Sequence, residues 1–256
     1  MSTHTSADPS PQPYADPPPQ PHDLTLDDPA RRLAGPEATA LPVADAAYWE
    51  AAAETFDDEP DHGLRDPAVR AAWAARLRTW LPAEPAEVLD LGCGTGSLSL
   101  LAAEQGHRVL GVDRSPRMIE RARTKLAGRD AAFLVGDAAE PPVGERRFDV
   151  VLVRHLLWAL PDPTAALRRW ADLLVPGGRL ALVEGRWGES DRIGIPADEL
   201  TLLVAPLAAH TTVQDLAHDA VLWGKEVHDE RYALLADLPR TRPSRRGALR
   251  FAAPRT

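Results

Sequence analysis

Apolar residues along this chain recur with two different periods, and the change from one to the other divides it. Between Asp66 and Leu81 the apolar positions Val69, Trp73, Leu77 and Trp80 fall three or four residues apart, the spacing of one helix face. Asp66-Pro67 ahead of them supplies a capping carboxylate and a proline at the first helical position, so a helix is predicted from there. Its tryptophans read as packing residues. A shorter helix is predicted from an N-cap at Asp45 through Tyr48, Trp49 and Ala53, with residues 57–63 as a polar link between the two.

After Pro82 and Pro85, short apolar runs alternate with helical stretches. Residues 87–91, 108–112, 132–135, 148–153 and 179–183 read as strands. Helices are predicted over 97–105, from Ser115-Pro116 to Leu126, and from Asp162-Pro163 to Leu174, and Pro176-Gly177-Gly178 turns the chain into the fifth strand. Residues 196–207 read as a helix, and 211–216 and 231–235 as two closing strands, seven in all. Such alternation demands right-handed crossovers, hence a doubly wound α/β fold with a mostly parallel sheet covered on both faces.

The flanks differ. Residues 1–40 are rich in Pro, Ser, Thr and Asp and hold too few apolar side chains to offset their ordering entropy, so they are predicted to be disordered. From Pro239 onward the chain is rich in Pro and Arg and is predicted to be unstructured as well. The expected organisation is therefore a tail over 1–40, N-terminal helices over 41–85, the α/β domain over 86–238 and a basic tail over 239–256.

Composition narrows the partners. With 44% hydrophobic and 26% charged residues the chain is globular, and its formal net charge of −9 argues against nucleic acid or an anionic membrane. No apolar run approaches the roughly 18 residues of a membrane span, and the N-terminus has no apolar signal core. The single cysteine, Cys93, builds neither a disulfide framework nor a cysteine zinc site and suits a reducing cytoplasm. It reads as a small residue in a crowded turn, and no metal ligand set is predicted.

The chemistry is expected beyond the carboxyl ends of the strands, where ligands bind in open parallel sheets. The first strand runs through Asp90 into Gly92-Cys93-Gly94-Thr95-Gly96, a turn whose backbone N–H groups approach a ligand without a Cβ in the way. A dinucleotide fingerprint places its third small residue at position 97, where this chain has Ser97. That spacing weakens a nicotinamide reading without excluding it. Asp113 follows the second strand, Gly136-Asp137-Ala138 the third, Arg154, His155 and Trp158 the fourth, and Glu184, Arg186 and Trp187 the fifth.

Together, 88–96, 111–113, 135–138, 148–163 and 176–180 resemble the ordered motifs of class I S-adenosylmethionine-dependent methyltransferases, of the small-molecule type related to quinone-biosynthesis enzymes. The resemblance spans about residues 86–184 and implies a Rossmann-like methyltransferase fold with an N-terminal helical lid. It implies that Gly92, Gly94 and Gly96 line the methionine moiety, that Asp113 takes the ribose hydroxyls, and that Asp137 and the Ala138 backbone face adenine with Met118 near the ring. Asp90 is expected to orient the turn or to line it, and Asp113 and Asp137 have the alternative role of helix caps.

The implied reaction is methyl transfer from S-adenosylmethionine to a small-molecule acceptor. His155 is the first candidate for a general base and His62, beside Asp61, the second, since imidazole titrates near neutrality. An alternative for His155 is a residue that only shapes the pocket. Tyr48 or Trp49 would offer a π-face to the sulfonium. Two other readings stay open at this point: an NAD(P)-dependent reductase, and a non-catalytic S-adenosylmethionine-binding regulatory protein.

Overall fold

The computed structural model describes residues 46–187 and 193–241. The expected tail over 1–40, the Asp45 cap and all but the first residues of the basic tail lie outside them. The described chain contains helices α1 (Ala46–Ala52), α2 (Pro60–Gly63), α3 (Pro67–Trp80), α4 (Ser97–Glu104), α5 (Pro116–Lys125), α6 (Pro163–Leu173), α7 (Ala197–Val204) and α8 (Ala220–Trp223). Its strands are β1 (Glu87–Leu91), β2 (Arg108–Asp113), β3 (Ala131–Val135), β4 (Phe148–Arg154), β5 (Leu174–Trp187), β6 (Ile193–Gly194), β7 (His210–Asp215) and β8 (Glu230–Asp237).

Seven strands follow the order β3-β2-β1-β4-β5-β8-β7, and β6 pairs only with the end of β5. β1 to β5 are parallel, whereas β8 runs antiparallel to both β5 and β7. Strand order reverses between β1 and β4, which opens a crevice beyond their carboxyl ends. Side chains alternate across the sheet as the pleat requires. Val88, Val109, Val150 and Leu152 pack with α3, α4 and α8, while Leu89, Leu110, Val151 and Val153 pack with α6 and α7.

Local chemistry sets the helix starts. The Asp66 carboxylate accepts from the N–H groups of Ala68 and Val69, the Ser115 hydroxyl from Met118, and the Asp162 carboxylate from Ala165, each followed by proline at the first helical position. The tryptophans at 73 and 80 are fully buried, as expected of packing residues. Trp73 also donates its indole N–H to the Leu222 carbonyl at 2.7 Å, and Trp80 donates to the Gln214 side chain at 2.9 Å, which bolts α3 to α8 and β7.

Four features depart from expectation. Residues 57–63 are not an open link: a 3-10 turn over Phe56–Asp58 leads into α2, because the Asp57 carboxylate is held by Thr95 at 2.5 Å and Lys125 at 2.9 Å. β5 begins at Leu174 rather than at Arg179; Leu174 pairs with Phe148 and Arg179 with Val150, so the Pro-Gly-Gly turn bulges out of a continuing ladder. β5 also runs on to Trp187, where β6 pairs with it. The four-residue α8 lies in a stretch too short to show a helical period.

Trp73 fills the interface between α3, Trp80 and Trp223, with ring centroids 6.2 and 5.5 Å away. Trp73→Ala is expected to destabilise the fold by about 3–5 kcal/mol through the cavity and the stranded Leu222 carbonyl. Urea unfolding checks this; a loss below about 1 kcal/mol would show that α3 and α8 do not share one core.

Candidate active site

The site starts from backbone geometry. At the end of β1, Gly92, Gly94 and Gly96 have φ of +66°, +52° and +80°, a left-handed region that side chains with a Cβ disfavour. The turn is pinned by the N–H groups of Gly92 and Cys93, which both donate to the Val112 carbonyl at 2.8 and 3.1 Å. Gly94 donates to Asp113 Oδ2 at 2.9 Å. Gly92 and Gly94 border the cavity. Gly96 does not: a Cβ there would meet Leu126 Cδ1 at 3.0 Å, so it serves the approach of α4 to α5 instead of lining the methionine end.

The acids expected at the strand ends converge on the same cavity. Asp90 is 3% exposed, accepts from the Ser99 hydroxyl of α4 at 2.6 Å and borders the cavity. Burial raises its carboxyl to about 6 against the opposing hydrogen bond from Ser99. Asp113 accepts from Gly94 with one oxygen and from Ser115 N–H, at 2.9 Å, with the other. Each oxygen keeps a second lone pair, so the cap and a diol contact are compatible. Burial raises this carboxyl too. Asp137 is exposed at the rim, closing a turn through Ala139 N–H at 2.9 Å, while Ala138 is buried with its carbonyl accepting from Trp170 at 2.7 Å. Met118 borders the cavity from α5 and is 1% exposed.

Residues 46–64 cover the turn. Phe56 lies over Gly94, whose added Cβ would sit 3.1 Å from the ring. Lys125 ties this segment down through Asp57, Thr95 and Ser97 at 2.8 to 3.1 Å, and Glu50 accepts from Ser115 at 2.5 Å. Tyr48 is not at the cavity. Its ring meets the edge of Trp49 at 5.0 Å, and it is Trp49 and Phe56 that face the site.

Opposite the glycine turn, His155 follows β4 with φ +54°, a strained setting for a residue with a Cβ. Its N–H donates to Val183 O at 2.9 Å, and the next two N–H groups, of Leu156 and Leu157, both donate to Glu184 Oε1 at 3.1 and 2.8 Å. The imidazole is stacked against Trp223 at 6.0 Å and meets Trp187 edge-on at 5.0 Å. His62 is stacked on Phe56 at 4.4 Å. Both histidines and Asp61 border the cavity, and one side-chain donor atom from each lies within 4.8 Å of the others. The two histidines singled out in the sequence therefore meet, although 93 residues separate them.

Two cations, Arg154 half-buried and Arg231 buried, complete this half. Arg154 sits over the Trp73 ring at 5.1 Å and donates to the Asp61 carbonyl. Arg231 lies over Trp223 and Trp187 at 4.8 and 5.6 Å and is held in a fork by Asp229 at 2.7 and 3.0 Å. Sequence reasoning did not place Phe56, Trp223 or Arg231 at the site. For Arg231 a signal existed: β8 is antiparallel to β5, so its first residues lie at the edge where the parallel strands end.

An open sheet with a glycine turn, acids after the next two strands and a covered crevice at the switch point defines a nucleoside-cofactor enzyme of the Rossmann-like class. A family model described as "Methyltransferase domain" matches residues 89–182. A trans-aconitate 2-methyltransferase from Methylobacterium radiotolerans is 32% identical over 206 residues, covering 71% of this chain and 74% of that protein. An uncharacterized methyltransferase of Mycobacterium tuberculosis is 42% identical over 127 residues, 49% of this chain and 50% of that one, so the chain matches about half the length of this relative. Among solved structures, the N-methyltransferase NodS from Bradyrhizobium japonicum in complex with S-adenosyl-L-homocysteine shares the fold, with TM-score 0.59 and 19% identity over 75% of this chain and 98% of that one. The chain belongs to the class I S-adenosylmethionine-dependent methyltransferases. That membership sets the nicotinamide reading aside.

Glu184 supports the His155 loop from a fully buried position, and burial pushes its carboxyl up to about 8. Between the ordinary glutamate range and about pH 8 the unfolded chain has released this proton while the folded chain retains it, so stability falls with rising pH across that window. Glu184→Gln keeps an oxygen for Leu156 and Leu157 and removes the titration. Urea unfolding from about pH 5 to about pH 8 is expected to show the variant gaining on the wild type as pH rises. A constant difference between the two would contradict the buried-acid assignment.

Proposed function

We propose that the chain transfers the methyl group of S-adenosylmethionine to a small organic acceptor. One observation carries this reading: a single cavity joins Gly92, Gly94, Asp113 and Met118 to His155, His62 and Trp223. Cofactor and acceptor can therefore meet without crossing solvent. The name of the trans-aconitate 2-methyltransferase relative supports an acceptor of small-molecule size. The strongly acidic body disfavours nucleic acid, and among the described residues no helix is long and apolar enough to cross a membrane. A cytoplasmic setting is proposed on the lone buried thiol, Cys93.

The residues divide the work. Gly92 and Gly94 bring backbone close to the methionine moiety, Asp113 accepts from the ribose hydroxyls, and Asp137 and Ala138 stand at the adenine edge beside Met118. Asp90 holds the turn through Ser99. Trp49, Phe56 and the rest of residues 46–64 form the cover that keeps water from the sulfonium.

In the reaction a lone pair on the acceptor attacks the methyl carbon, the carbon–sulfur bond breaks with its electrons passing to sulfur, and S-adenosylhomocysteine remains. Holding nucleophile, carbon and sulfur in line supplies about 7–11 kcal/mol of barrier lowering in well-oriented systems. An acceptor that carries a proton loses it beside His155, with His62 and Asp61 adjoining. Trp187, Trp223 and Trp158 wall that half with flat apolar faces, which favours an acceptor with a planar or apolar body.

Asp113→Ala is expected to weaken S-adenosylhomocysteine binding by about 1–3 kcal/mol through lost charge-assisted hydrogen bonds, read by calorimetry. Unchanged affinity would remove Asp113 from the cofactor site. His155→Ala is expected to lower kcat by about 10²–10⁴-fold with little change in cofactor affinity, once an acceptor is found by screening for products heavier by one CH₂. An equal loss in cofactor affinity would place His155 against the cofactor instead.

A further inference from the structure

Asp61, His62 and His155 form a cluster to which the proposed cofactor contacts assign no role. The carboxylate and one imidazole come from α2, the other imidazole from the turn after β4, and all three border the cavity on its acceptor side. Their side chains are largely withdrawn from water: those of His62 and Asp61 are 12% and 10% exposed. Asp61 Oδ2 and His62 Nε2 are 3.8 Å apart, too far for a hydrogen bond. With His155 included, one donor atom from each residue falls within 4.8 Å of the others.

Each member is held in place by contacts to its ring or its main chain. Phe56 stacks on the His62 ring at an interplanar angle of 13°, and Trp223 on the His155 ring at 18°. Arg154 fixes the Asp61 main chain by donating to its carbonyl, with the guanidinium over the Trp73 ring. His155 accepts φ +54°, and the Glu184 carboxylate stabilises the turn that imposes it. Strain at one histidine and ring stacking on both describe a prepared ligand set rather than a chance meeting.

We propose that Asp61, His62 and His155 bind one divalent transition-metal ion on the acceptor side of the cavity. Two imidazoles and a carboxylate suit ions such as zinc, manganese, iron or cobalt, and three protein ligands leave positions open for a ligand atom of the acceptor. Bonds of about 2.0–2.2 Å keep the ligand atoms of one ion up to about 4.4 Å apart, so small side-chain rotations bring the three donors onto it. An ion there draws electron density from a coordinated acceptor hydroxyl and lowers its pKa; with His155 engaged as a ligand, the proton passes to solvent buffer rather than to its imidazole, and the oxygen attacks the methyl carbon. This catalytic use rests on the methyl-transfer reading; the binding of the ion does not.

The test uses the full-length, untagged chain, stripped with chelator and titrated with Co²⁺ while visible absorption is followed. One Co²⁺ per chain is expected, with ligand-field bands that Zn²⁺ abolishes. His62→Ala, His155→Ala and Asp61→Asn are each expected to weaken Co²⁺ binding at least about tenfold. His155→Asn, which tolerates the left-handed backbone, stands in where the alanine variant fails to fold. Absence of stoichiometric Co²⁺ binding, or affinity unchanged in the histidine variants, overturns the proposal. S-adenosylhomocysteine binding measured on the same samples separates the two readings. Cofactor binding without metal sinks the ion alone, and metal without cofactor sinks the methyl-transfer reading alone.

Discussion

Three left-handed glycines within five residues are the constraint on which the site depends. Glycine holds φ of +66°, +52° and +80° at positions 92, 94 and 96 without the strain a Cβ would bring, and neighbouring groups fix the conformation. Here the neighbours are the Val112 carbonyl and the Asp113 carboxylate, both from the end of β2. The turn after β1 and the acid after β2 are therefore one object. The parallel pairing that aligns Leu91 with Val112 also sets the distance between the glycine turn and the Asp113 carboxylate. Moving either strand by one residue would lose the turn, the cap on α5 at Ser115 and the cavity floor together.

The opposite wall is assembled differently. Its members come from the end of β4, the extension of β5, the start of β8, the short α8 and the segment before α3. No single local motif holds them. What does is a set of buried polar anchors, each with a partner distant in sequence: Glu184 under the His155 turn, Arg231 between two tryptophans and Asp229, and Lys125 against Asp57 and Thr95. Buried polar and charged groups of this kind are costly unless partnered, which makes the wall specific in shape. A half that is fixed by backbone geometry and a half that is defined by long-range side-chain partners suit an enzyme in which the cofactor is common and the acceptor particular.

Legibility in the sequence follows the same division. The five parallel strands, the Asp66, Ser115 and Asp162 caps and the glycine turn were readable because each is encoded by neighbours a few residues away. The order of acids after the strands then placed Asp113 and Asp137 at one crevice. Reading failed where distant partners decide. Residues 57–63 look like a solvated link until Lys125 and Thr95 hold Asp57, and Gly96 looks like a third ligand-facing glycine until α5 is packed against it. Tyr48 and Trp49 are adjacent in sequence, and only the rotation of α1 settles that Trp49 faces the cavity. Trp223 carries no local signal, Arg231 is placed only by the antiparallel pairing of β8 on β5, and Asp61, His62 and His155 become a cluster only once α2 is laid over the end of β4.

The central claim is that this crevice is built for an adenosyl sulfonium cofactor. Paired calorimetric titrations of the full chain with S-adenosylhomocysteine and with NADH test it most directly. The structure predicts saturable one-to-one binding of S-adenosylhomocysteine and no heat of binding from NADH, since the third glycine of the turn, Gly96, comes one residue early for the dinucleotide fingerprint. Saturable NADH binding with no response to S-adenosylhomocysteine would contradict the account at its base.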